Sequence, residues 1–154
     1  MPESNCTSLN WGQIVTWVLV IIGWGIINRQ HNIREDRKET RASIDRVKSY
    51  SYELETASIK AHMSNEITSD DATCINWKIK KLIDEIEYAA LLSNEERNAH
   101  AKMLRRSITL SNLDPSSHCA VSEQDKIIRD TRTAIDDLVS AIEKTFRGRY
   151  PLAK

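Results

Sequence analysis

Between Ser4 and Asn28 the chain carries no charged side chain, and this uncharged stretch constrains everything else. Its centre runs from Trp11 to Ile27 and is dominated by Ile, Val, Leu and Trp. With the flanking Leu9 it is just long enough to cross a bilayer as a helix, which takes about 20 apolar residues. A run so rich in β-branched residues would suit a strand in water. In lipid, however, a lone strand leaves its backbone unpaired, so a helix is expected. Ile14, Val15, Val18 to Ile22, Ile26 and Ile27 each favour insertion by roughly 0.3–0.6 kcal/mol, about 3–5 kcal/mol together. Gln13, Thr16, Gly23 and Gly25 reduce this sum without cancelling it. Trp11 and Trp24 fall near the two ends, where interfacial tryptophans are expected.

The flanks argue for an uncleaved anchor and set its direction. Before the span stand Glu3 and no Lys or Arg, unlike the positive n-region of a signal peptide. After Ile27 come Asn28, Arg29, Gln30 and His31, where a cleavage site would need small residues. Arg29, Arg34, Arg37, Lys38, Arg41 and Arg46 all follow the span, and acidic neighbours weigh little in the positive-inside rule. The expected topology is a plasma (inner) membrane protein with its N-terminus outside and its C-terminus in the cytoplasm. Cys6 would lie outside, with Cys74 and Cys119 in a reducing compartment. Arg29, Arg34, Arg37, Lys38 and Arg41 are candidates for contact with lipid head groups. Gly12, Thr16, Leu19 and Gly23 share one narrow stripe of the span. Small residues there would let a second helix approach closely.

Beyond the span the chain is charge-rich, and from Ile26 to Asp114 it has neither Gly nor Pro. So long a run without breakers favours helix over a strand-and-turn fold. The expected fold class is all-α, with one N-terminal transmembrane helix continuing into a small cytoplasmic helical bundle or stalk. In outline, residues 1–9 form a short extracytoplasmic N-terminus, 10–28 the transmembrane helix, 29–66 a charged juxtamembrane helix and 67–150 a cytoplasmic helical region. In the juxtamembrane stretch Ile33, Thr40, Val47, Leu54 and Ala61 recur every seven residues. The second column of a coiled coil is poor, because it holds Arg37, Ile44, Ser51 and Ser58. Ile44, Val47, Leu54 and Ala61 instead suggest one stripe docking on neighbouring helices.

Further helices are expected over about 72–92, 94–111 and 123–147. Thr68-Ser-Asp-Asp71 supplies an N-cap cluster, and Ile75, Ile79, Leu82, Ile83 and Ile86 behind it recur at helical spacing. Ser93 with Glu96, and Ser122 with Asp125, have the spacing of capping boxes. Ile127, Ile128, Ile135, Leu138 and Ile142 make the strongest amphipathic stripe, a candidate for the core or for a partner's docking face. Gly148 is the expected stop of the last helix, with Pro151 beyond.

Chemistry is harder to find. His31, His62, His100 and His118 are scattered, and adjacent His118-Cys119 is a poor spacing for paired metal ligands. There is no Gly-x-Ser-x-Gly elbow, phosphate loop or HExxH. Catalytic, cofactor-binding and metal residues are therefore all expected to be absent. Lys+Arg and Asp+Glu balance at 22 each, so no net field calls for nucleic acid. The expected partners are the lipid bilayer, a second copy of the chain and an unidentified protein. The expected function is a membrane-anchored interaction or scaffold module at the inner face. The alternative is a membrane-active effector or channel-like homo-oligomer assembled through the transmembrane helix. No enzyme activity is expected.

Overall fold

The computed structural model describes residues 11–109 and 112–151. Among them the chain is helical without strands: α1 (Trp11–Met63), α2 (Ser69–Ala89), α3 (Asn94–Thr109) and α4 (Lys126–Arg149). Helix α1 runs for 53 residues, so the helix that includes the apolar stretch continues through Asn28 to Met63. The absence of Pro and of mid-helix Gly after Gly25 removes every strong reason to break it.

By its contacts the chain divides into two units, with the boundary between Glu39 and Thr40. The described part of the first unit is the N-terminal portion of α1. Helix α1 is the one described helix long and apolar enough to cross a membrane, with a window of mean hydropathy 1.5, none of which is buried by the described residues.

The second unit is a bundle of the remainder of α1 with α2, α3 and α4. Its core joins Ile44, Val47 and Leu54 of α1 to Ile75, Ile79, Leu82 and Ile86 of α2. Leu104 and Ile108 of α3 complete it with Ile135, Leu138, Ile142 and Phe146 of α4. Cross-helix ion pairs fix the directions. Arg41 and Glu55, early and late in this part of α1, meet Glu143 and Arg132, late and early in α4, at 2.9 and 3.4 Å. Arg46 and Glu53 meet Glu85 and Lys78 of α2 in the same reversed order, at 2.6 and 3.7 Å. Glu87 near the end of α2 pairs with Arg97 near the start of α3. Ser107, late in α3, accepts at 3.4 Å from Thr131, early in α4. Successive helices are therefore antiparallel, the arrangement that short connections favour.

The ends of the helices show which local signals prevail. Thr68 caps α2 reciprocally: its hydroxyl accepts from the Asp71 N–H, while the Asp71 carboxylate accepts from the Thr68 backbone N–H. Helix α2 therefore begins at Ser69 rather than 72. It ends at Ala89 rather than 92, because Ala90 turns left-handed (φ 48°, ψ 36°) and returns its N–H to the Glu87 carbonyl at 3.1 Å. Leu91 then folds into the core, and Ser93 opens α3 with the expected box to Glu96. The Ser122 pattern does not cap α4. Asp125 does, its carboxylate accepting from the Ile127 N–H at 2.9 Å. Gly148 does not stop α4 either. Tyr150 bonds back to the Phe146 carbonyl at 2.9 Å and its ring lies 5.1 Å from that of Phe146. This tertiary anchoring overrides a permissive glycine, and α4 reaches Arg149.

Candidate functional site

The apolar N-terminal stretch of α1 has a window none of which is buried by the described residues. Trp11, Trp17, Trp24 and Ile27 are all strongly exposed. The Thr16 hydroxyl is satisfied within the helix, donating to the Gly12 carbonyl one turn back at 2.8 Å. Of the stripe Gly12, Thr16, Leu19 and Gly23, all lie on α1, Leu19 is exposed and a methyl group added at Gly23 would meet nothing within 4 Å.

The charged candidates separate. Arg29, Arg34, Arg37 and Lys38 are exposed on α1, with Lys38 paired to Glu35 at 2.9 Å. That hydrogen bond, then the Lys38 charge, hold the Glu35 carboxyl below its usual range. Arg41 is placed differently. Its guanidinium donates to both Glu143 oxygens, pairs with Asp45 at 3.3 Å and lies 5.7 Å over the Phe146 ring. Arg41 is thus occupied by the bundle rather than open to a head group. The stripe on α4 is also resolved. Ile128, Ile135, Leu138 and Ile142 are buried in the chain's own interior and Ile127 is half-buried, so the stripe is core and offers no docking face.

Two histidines organise the far end of α1. His62 is wholly buried, and neither ring nitrogen has a hydrogen-bond partner among the described residues. Burial first, then the nearby His118 charge, push it toward its neutral form, and the Ile108 carbonyl opposes this weakly without reaching hydrogen-bonding geometry. The His118 ring bridges two backbone carbonyls, Asn112 O through Nδ1 and Ser64 O through Nε2, each at 2.8 Å. The Val121 N–H donates to the His62 carbonyl at 3.0 Å, and the Asn112 side chain clasps Cys119 N–H and C=O. Together these contacts fasten the α3–α4 connection to the last turn of α1 and satisfy carbonyls that a helix end leaves open. His118 is therefore a structural bridge. Asp71 is likewise spent on its cap, and Cys74 and Cys119 are exposed free thiols. Cys6 lies outside the described residues. Among the described residues, no three His, Cys, Asp or Glu side chains gather where they could hold a metal ion.

One feature escaped the sequence reading. Between α2 and α3 lies an open groove of about 650 Å³, floored by Ile83 and Ala101 and edged by Lys102, Arg105 and Arg106. The three cations follow i, i+3, i+4 spacing on α3, which is a legible signal, but Ile83 comes from another helix and only the fold brings it there. The neighbouring groove between α3 and α4 carries Asp130 beside Arg106 and Lys126 and so has mixed sign.

Compared with protein-family models, curated proteins and solved structures, the chain matches none.

Proposed function

We propose that this chain is a single-pass membrane protein whose helical bundle serves as an interaction module at the cytoplasmic face. The supporting observation is the bare apolar half of α1. An apolar helix of a soluble core would be mostly covered by its neighbours, whereas none of this window is buried. An exposed apolar surface of this extent is a liability in water and an anchor in lipid. A cleaved signal sequence is disfavoured because the same helix continues to Met63 and supplies Ile44, Val47 and Leu54 to the bundle core. Arg29, Arg34, Arg37 and Lys38 support the inward orientation of the C-terminal side. No catalytic chemistry or cofactor belongs to this reading.

The test uses the native thiols. In intact cells a membrane-impermeant maleimide labels Cys6 and leaves Cys74 and Cys119 untouched until the membrane is permeabilised. Labelling of Cys74 or Cys119 before permeabilisation reverses the orientation, and release of the protein by alkaline carbonate removes the anchor altogether.

A second reading, a homo-oligomer acting on the membrane through Gly12, Thr16, Leu19 and Gly23, draws support from the open space at Gly23. Gly12→Leu with Gly23→Leu would abolish its activity, whereas the module reading tolerates exchange of the whole anchor.

A further inference from the structure

We propose that the groove between α2 and α3 is the docking surface of this module, and that it receives an acidic amphipathic helix of another protein. The inference rests on the interaction-module reading and names the site and chemistry of the partner. Several cations that face neighbouring helices in the bundle are paired, Arg41 and Lys48 with Glu143, Arg46 with Glu85, Arg97 with Glu87 and Arg132 with Glu55, while Lys81 lies over the Tyr50 and Trp77 rings. Lys102, Arg105 and Arg106 have no ion pair among the described residues, although they crowd one edge of a concave surface. Like charges at i,i+3 and i,i+4 repel, so the bundle gains nothing from them by itself. A facing row of carboxylates turns that repulsion into attraction, and guanidinium groups take carboxylates in a two-pronged geometry.

Shape and floor select the rest of the partner. The groove lies between two packed helices, and its half-buried floor residues Ile83 and Ala101 would receive apolar side chains one helical turn apart. The partner is therefore a helix with a narrow apolar stripe flanked by Glu or Asp. A lipid head-group layer matches the charge but not the concavity or the apolar floor.

The test uses the full-length protein in nanodiscs of neutral phosphatidylcholine. The probe is a short fluorescent helical peptide with one leucine stripe flanked by glutamates. Its control carries glutamine for every glutamate. The acidic peptide should bind saturably, shift the methyl resonance of Ile83 and weaken as salt rises. The R105E/R106E variant should bind it at least about tenfold more weakly, the cost of losing roughly one strong charge pair. Equal binding of the two peptides, or absence of binding by the acidic one, overturns the proposal. So does binding that R105E/R106E leaves unchanged while its thermal melt matches the parent. If instead phosphatidylglycerol discs shift the Ile83 resonance without peptide, the groove is a lipid site and the proposal fails. Stable incorporation into the discs tests the membrane anchor separately, so failure of the groove and failure of the anchor are read from different measurements.

Discussion

Glu143 on α4 accepts hydrogen bonds through both carboxylate oxygens from the Arg41 guanidinium, at 2.9 and 3.2 Å, across the start of the bundle part of α1. Lys48, two turns along α1, donates to the same carboxylate. One side chain on the last helix thus ties down two cations on the first. The Glu143 carboxyl is held below its usual range by the Lys48 hydrogen bond first, against the opposing effect of burial, with Arg41 adding to it. Glu143→Gln should cost about 1–2 kcal/mol, reduced from the full value of a charged hydrogen-bond pair because Arg41 is partly exposed. Because the folded-state pKa is depressed, this stabilisation is present at neutral pH and is lost as pH falls through the lowered value. Chemical denaturation of parent and variant at pH 7 and pH 3 checks both statements: the difference should shrink at the lower pH.

The buried His62 makes a separate pH prediction. Its folded-state value lies below the ordinary 6.5, chiefly through burial. The unfolded chain therefore binds the proton more readily, and stability should fall as pH drops below about 6.5. His62→Leu, which removes the titrating ring while filling similar space, should flatten this loss between neutral and mildly acid pH. An unchanged slope in thermal melts of the variant would show that another group is responsible.

Ala90 holds a left-handed backbone at φ 48°. A side chain there costs about 1 kcal/mol that glycine avoids. Ala90→Gly should therefore stabilise the bundle by roughly 0.5–1 kcal/mol, readable as a higher denaturation midpoint with an unchanged slope.

Ile135 is wholly buried at the centre of α4. Ile135→Ala should destabilise by about 2–4 kcal/mol through lost burial and the cavity left behind. The same substitution at Ile127, half-buried at the groove between α3 and α4, should cost less. Similar losses at both positions, measured by denaturation, would contradict the burial gradient along this helix.

Much of the architecture was legible because it depends on local patterns. The apolar spacing in α2 and α4, the Ser93–Glu96 box and the long stretch without Gly or Pro each act over a few residues. The failures have equally physical causes. The end of α2 carries no glycine, since Ala90 accepts the left-handed turn and Leu91 follows into the core. The end of α4 depends on Tyr150 meeting Phe146 and, at 3.2 Å, the Thr40 hydroxyl 110 residues away. The second heptad column is poor for a coiled coil, yet in this bundle Ser51 and Ser58 are wholly buried. Small side chains allow close helix approach, and the Ser58 hydroxyl satisfies itself on the Leu54 carbonyl at 2.7 Å. At the candidate sites, chain-local charges such as Arg29 to Lys38 could be read directly. The fates of Arg41 and His118 depended on contacts 102 and 54 residues distant.

Ser51 differs from Ser58 in one respect: its hydroxyl is enclosed but has no hydrogen-bond partner among the described residues. The bundle keeps a polar atom where a hydrogen would leave the packing almost unchanged. Ser51→Ala would remove the cost of burying an unbonded hydroxyl. Position 51 is therefore where removal of a single atom has the most to give in this interior, through solvation and not through packing.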